Sequence, residues 1–143
     1  MKAINPYLNF PGNTEEAFNF YKSIFGGELV GLTRFSDTPE GGKLKPNEKE
    51  KLMHVSLPVG KNNILMATDA LESMGHKVTP GTNFHISITA DSKEEATKFF
   101  NGLSKGGKVT MPLADTFWGD YFGMLTDKFG IQWMINYTYP KEK

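Results

Sequence analysis

The sequence predicts an α+β fold in which two copies of a β-α-β-β-β module form an open, half-barrel sheet around a crevice. Three observations predict it. Short alternating strand segments flank two amphipathic helices, the helix pattern returns about 80 residues later, and the strands carry apolar residues on one face and polar residues on the other. The chain of 143 residues is read as one domain, with modules at about 1–70 and 82–140 and a linker at 69–82.

The elements follow in order. Residues 3–10 alternate as a strand, with Pro6 at a position whose amide the ladder does not need. Pro11-Gly12-Asn13 is a turn, and Thr14 caps a helix with Glu15 and Glu16 in its first turn. Ala17, Phe20, Tyr21, Ile24 and Phe25 form the apolar stripe, and Gly26-Gly27 ends the helix. Residues 28–36 read as a strand. Residues 37–50, rich in Pro, Gly, Lys and Glu, read as a long mobile loop, a solvated excursion rather than a lid. Strands at 51–58 and 61–68 meet at a Gly60-Lys61 turn. After the linker, residues 83–90 alternate strictly. Ser92 caps a second helix with Phe99, Phe100 and Leu103 on its apolar face, and Gly106-Gly107 ends it. Strands follow at about 108–114, 117–126 and 131–137.

The repeat goes beyond the order of elements. Glu15-Glu16-Ala17 returns as Glu94-Glu95-Ala96, Phe20-Tyr21 as Phe99-Phe100, and Gly26-Gly27 as Gly106-Gly107. Period-two alternation then assigns the faces. Ile4, Leu8 and Phe10, then Met53, Val55 and Leu57, then Phe84, Ile86 and Ile88, then Ile131, Trp133, Ile135 and Tyr137 pack toward the helices. Asn5 and Tyr7, His54 and Ser56, His85 and Ser87, and Gln132 and Met134 form the opposite face, polar and mostly uncharged. With the helices outside, these polar faces look onto the crevice.

Composition removes several classes of function. Lys plus Arg and Asp plus Glu both number 16, so no net charge draws the chain to nucleic acid or an anionic membrane. The absence of cysteine removes disulfides, thiolate metal sites and thiol nucleophiles. No apolar stretch approaches the ~20 residues of a membrane span, and the N-terminus has no signal-like apolar region. The expectation is a cytoplasmic protein whose partner is a small molecule.

Histidines carry the sharpest chemical question. An offset of 80 residues pairs Asn5 with His85 and His54 with Met134. Two imidazoles at related positions would suit a divalent metal, but Asn and Met are poor further ligands, and a metal site normally needs three or four good donors. No metal is therefore expected; if one binds, His54 and His85 hold it. Trp118 and Tyr121 join Tyr7 as aromatics beside the polar face, a composition that suits a partly apolar ligand.

The run Asn5-Pro6-Tyr7-Leu8-Asn9-Phe10, the block Thr116-Phe117-Trp118-Gly119-Asp120-Tyr121-Phe122-Gly123, and the ending Asp127-Lys128-Phe129-Gly130-Ile131-Gln132-Trp133-Met134-Ile135-Asn136 resemble PhnB-like proteins of the vicinal oxygen chelate superfamily. That superfamily includes glyoxalase I, bleomycin-binding proteins and dioxygenases. The resemblance covers nearly the whole chain. It implies the paired βαβββ (glyoxalase-like) fold and a homodimer. It also implies that four positions, which carry His and Glu in the metalloenzymes, fall here on Asn5, His54, His85 and Met134. Some PhnB-like proteins are labelled ubiquinone-pathway methyltransferases, but no glycine-rich strand-turn-helix segment for S-adenosylmethionine is present. The expected function is binding of a small molecule in the crevice, with a degenerate metal site. The alternative is a metal-dependent lyase, isomerase or dioxygenase of the glyoxalase type using His54 and His85. A third reading, metal-free acid–base chemistry by a histidine, finds no orienting carboxylate in the strand pattern.

Overall fold

The computed structural model describes residues 1–141. They form two compact units, Met1–Thr79 and Pro80 onward. The first contains β1 (Tyr7–Phe10), α1 (Thr14–Phe25), β2 (Val30–Arg34), a four-residue helix α2 (Pro46–Lys49), β3 (Leu52–Val59) and β4 (Asn63–Asp69). Its sheet runs β1-β4-β3-β2, with β1 parallel to β4 and the rest antiparallel. The second contains β5 (Ile86–Thr89), α3 (Lys93–Ser104), β6 (Lys108–Asp115), β7 (Asp120–Thr126) and β8 (Gln132–Thr138), in the order β5-β8-β7-β6. The same topology twice is the βαβββ repeat the sequence predicts.

Each helix covers one face of its own sheet. In the first unit Ala17, Phe18, Tyr21 and Ile24 of α1 are buried with Leu8 and Phe10 of β1, Val55 and Leu57 of β3, and Leu65 and Ala67 of β4. Phe10 meets Phe18 edge-on, with ring centroids 6.4 Å apart. Phe18 takes a place in the stripe while Phe20 lies half-buried, because a core-facing stripe is wide enough to hold adjacent residues. In the second unit Ala96, Phe100 and Leu103 are buried with Leu125, Trp133 and Ile135.

Several expectations are corrected. Thr14 does not cap α1 with its hydroxyl. It is the first helical residue, fully buried, and its N–H donates to Asp69 Oδ1 at 2.9 Å. Asp69 Oδ2 accepts from Leu52 N–H at 2.8 Å, so one buried carboxylate ties the start of α1 to the start of β3. Ile4 and Phe84 are 80% and 56% exposed, because β1 and β5 begin only at Tyr7 and Ile86. Met53 is also exposed: the β2–β3 register steps from Thr33↔His54 to Arg34↔Leu52, leaving Met53 as an extra residue. That bulge breaks the alternation and lets Leu52 and Val55 both face the core. The 37–50 segment is not featureless. A 3₁₀ turn at Phe35–Asp37 leads into it, and it holds a second at Pro39–Lys43 and then α2, whose Glu48 accepts from the Ser73 hydroxyl at 2.6 Å.

The repeat also has a break in its spacing. Tyr7 pairs with Met66 as Ser87 pairs with Met134, so the first strands are offset by 80 (87 − 7) but the last by 68 (134 − 66). The hairpins agree, since Leu57↔Leu65 corresponds to Leu125↔Trp133 and Ser56↔Met66 to Met124↔Met134. The connection between β2 and β3 absorbs the difference. The counterpart of Met134 is therefore Met66, and that of His54 is Phe122.

Candidate functional site

The helix-free face of the first sheet is set by register. Tyr7 of β1 pairs with Met66, Met66 with Ser56, and His54 with Thr33. Residues opposite one another in a ladder share a face. Tyr7, Met66, Ser56, His54 and Thr33 therefore line one surface, on the side away from Leu8, Val55, Leu57 and α1.

A hydrogen-bonded row crosses that surface. The Tyr7 hydroxyl lies 3.1 Å from His54 Nδ1, and His54 Nε2 lies 2.9 Å from Ser56 Oγ. The Tyr7 and His54 rings are tilted, with centroids 5.7 Å apart. A neutral imidazole carries one N–H, so one ring nitrogen donates and the other accepts. Tyr7 remains 46% exposed. Partial burial nevertheless raises its pKa above the ordinary tyrosine value, which keeps it a phenol near neutrality. Asn5 precedes β1, two residues before Tyr7. Its carboxamide oxygen accepts from Ile64 N–H at 3.3 Å. Because a backbone N–H must meet the oxygen, the amide NH2 is left as a donor.

In the second unit, Ser87, Gln132 and Met134 lie on the helix-free face with Phe122, Met124 and Asn136. Gln132 is fastened by its NH2 to the Phe84 carbonyl at 2.5 Å. His85 is half-buried just before β5. Trp118, 55% exposed in the β6–β7 turn, meets Phe122 edge-on with ring centroids 6.2 Å apart, and its indole N–H donates to Asp120 Oδ2 at 3.0 Å. Tyr121 belongs elsewhere. It pairs with Tyr137 on the helix side, its hydroxyl is 3.5 Å from Thr97 Oγ1 of α3, and Lys93 Nζ sits 4.8 Å from its ring centroid. Strand parity explains the difference: Tyr121 is one residue from the outward-facing Asp120 and Phe122. Thr33, Met66 and Phe122 join the helix-free faces without having been singled out. Alternation in residues 61–68 and 117–126 carried that signal for Met66 and Phe122, whereas the bulged register hid Thr33.

A cleft of about 390 Å³ opens at the N-terminal end of α1, lined by Gly12, Glu15, Arg34, Glu50, Lys51 and Asp69. Its charges are paired internally. Arg34 grips both Glu15 oxygens at 2.9 and 3.0 Å, and Lys51 Nζ donates to Gly12 O at 2.8 Å. The tie is structural, and the uncharged sheet faces are the better candidates for a ligand.

A divalent metal is not matched by these donors. His54 has both ring nitrogens engaged and sits on β3, whose counterpart is β7, so it does not pair with Met134. The true counterpart of Met134 is another methionine, Met66, and the Asn5 oxygen is already taken. Among the described residues no group of three or more His, Cys, Asp or Glu side chains could hold a metal ion.

Comparison with known proteins places the fold. The chain is 30% identical over 141 residues to the protein YjdN of Escherichia coli (strain K12), covering 93% of each chain. It matches the crystal structure of PA1353 from Pseudomonas aeruginosa at 42% identity and a TM-score of 0.82, covering 94% of this chain and 96% of that one. It also matches a Bacillus cereus PhnB protein, described as a putative 3-demethylubiquinone-9 3-methyltransferase. Identity there is 29% and the TM-score 0.76, over 94% of this chain and 98% of that one. With residues 3–135 also matching the family model, the chain belongs to the Glyoxalase/Bleomycin resistance protein/Dioxygenase superfamily.

Proposed function

We propose that this protein binds a small, uncharged molecule on the helix-free faces of its sheets. The single observation that carries the reading is the row Tyr7–His54–Ser56, polar groups held in fixed geometry on a partly exposed and otherwise uncharged surface. A few oriented polar groups among apolar side chains, here Met66 and the Tyr7 ring, are what a small-molecule surface requires. Asn5 adds a donor just before β1. Ser87, His85, Gln132, Met134 and Trp118 are the ligand-facing set proposed for the second sheet. The methyltransferase description of the Bacillus cereus protein is not carried over, since neither four-stranded sheet has the parallel, glycine-rich strand-turn-helix that holds S-adenosylmethionine.

The test is a thermal-shift screen of neutral polar and aromatic compounds, with hits measured calorimetrically. Tyr7→Phe and His54→Ala should each weaken a hit by about tenfold, near 1.4 kcal/mol. Hits that bind both variants as tightly as the wild type would remove the first sheet from the site.

We further infer a homodimer. The edge strands β2 and β6 expose Val30, Leu32, Val109 and Met111, and apolar edges of this kind are normally covered.

A further inference from the structure

We propose that Tyr121, Tyr139 and Asp115, beside the start of α3, form a binding site for a quaternary ammonium group, with Lys93 as its internal occupant. The site lies in the second unit, on the side of the sheet that carries α3, and is independent of the helix-free faces. One row of the ladder builds it: Asp115 of β6 pairs with Tyr121 of β7, which pairs with Tyr137 of β8. Residues opposite one another share a face, so a carboxylate and two phenol rings stand side by side. Tyr139 completes the group. Its ring meets that of Tyr137 edge-on, with centroids 5.4 Å apart, and its hydroxyl donates to Asp115 Oδ1 at 2.5 Å. Thr97 of α3 steadies the other wall, with Oγ1 3.5 Å from the Tyr121 hydroxyl.

A cation already marks the centre of this group. Lys93 Nζ lies 4.8 Å from the Tyr121 ring centroid and 5.8 Å from that of Tyr139. Both distances are inside the ~6 Å reach of a cation–π contact. Hydrogen bonding to Tyr139 is the largest cause raising the Lys93 pKa above the ordinary lysine value, and the Asp115 carboxylate adds to it, so this place favours a positive charge. The hydrogen bond to Asp115 in turn raises the Tyr139 pKa and keeps that ring a neutral phenol.

Lys93 is nonetheless held loosely. It is exposed and takes part in none of the ion pairs among the described residues. Its primary ammonium is strongly hydrated and sits on a flexible four-carbon stem, so it can swing back into water. A quaternary ammonium has no N–H to keep hydrated, and its methyl groups gain contact with both ring faces, which is the way aromatic cages recognise such ions. Asp115 narrows the ligand further. It favours choline, whose other end is a neutral hydroxyl, over glycine betaine, whose carboxylate would be set against a like charge.

The experiment titrates choline chloride and glycine betaine into the full chain and follows the ring-proton NMR shifts of Tyr121 and Tyr139, with sodium chloride as the ionic-strength control. The wild type should show saturable shifts with choline and bind betaine roughly tenfold more weakly. Lys93→Ala removes the competing ammonium and should bind choline roughly tenfold more tightly, whereas Lys93→Arg should stay near the wild type. Tyr139→Leu and Asp115→Asn should each weaken choline binding by roughly tenfold. Lys93 and Asp115 are exposed, so their variants keep the fold, and unchanged circular dichroism checks each one. Cosedimentation with phosphatidylcholine vesicles, reversed by choline, upholds the site with a lipid headgroup as its source; choline binding without cosedimentation upholds it with a free ammonium compound. Absence of saturable shifts in the wild type overturns the proposal. So does a Lys93→Ala affinity no higher than that of the wild type, or choline binding unchanged in Asp115→Asn and Tyr139→Leu.

Discussion

At the scale of single residues, the buried carboxylate of Asp69 is the clearest case of a polar group set by tertiary structure. It is 2% exposed and accepts two backbone N–H bonds from segments 55 and 17 residues away in sequence, at Thr14 and Leu52. Asp69→Ala would strand both donors in the core and should lower unfolding free energy by roughly 2–4 kcal/mol. Asp69→Asn keeps one carbonyl acceptor and should cost less; urea denaturation of the two variants measures the difference. Asp127 works the same way in the second unit. It is 3% exposed and accepts from Phe129 N–H, Ile131 N–H and the Trp133 indole N–H. Turn and capping roles for these aspartates are legible in the sequence, because Asp at strand ends commonly serves backbone N–H groups. Which N–H groups they serve is not. The row Tyr7–His54–Ser56 divides in the same manner. Alternation puts His54 and Ser56 on one face, but only the parallel pairing of β1 with β4 brings Tyr7 within reach of the imidazole.

At the scale of elements, helix and sheet meet closely at Gly123. A Cβ there would lie 2.8 Å from Phe100 Cε2 of α3 and 2.9 Å from both Leu113 N and Met111 O of β6. Gly123→Ala should therefore destabilise by about 1–3 kcal/mol through overpacking, read as a lower denaturation midpoint at unchanged slope. In the first unit, α1 is tied to β2 by the Arg34–Glu15 pair. The Arg34 hydrogen bond is the largest cause holding the Glu15 pKa below its ordinary value. A depressed carboxylate contributes stability that is fully present above the ordinary Glu value of about 4.3 and is lost as pH falls through the lower folded value. Glu15 is 46% exposed, so solvent screening keeps the contribution below about 1 kcal/mol. Denaturation across acidic pH should show the wild type and Glu15→Gln converging as pH falls. Equal stabilities at neutral pH would remove the pair from the account.

At the scale of the whole molecule, light scattering of the purified chain should return twice its 16.0 kDa mass. Val30→Glu on the exposed edge strand β2 should shift that mass toward the monomer. A wild-type mass of 16.0 kDa at micromolar concentration would leave the apolar edges of β2 and β6 uncovered and would count against the dimer.

The sequence by itself determined the repeated βαβββ order, both helices with their apolar stripes, and the superfamily. These rest on local periodicity, on glycine stops and on motifs that each lie within one stretch of chain. Tertiary structure alone decided which positions correspond between the repeats. A spacing of 80 residues suits the first strands and helices, but extra chain between β2 and β3 shifts the hairpins to 68, and linear counting cannot detect an insertion inside a repeat. That shift separates His54 from Met134, and the side-chain hydrogen bonds then commit its two ring nitrogens to Tyr7 and Ser56. Tertiary structure also turned Tyr121 toward α3. A strand's parity is fixed by the ladder it joins, and a displacement of one residue exchanges the faces.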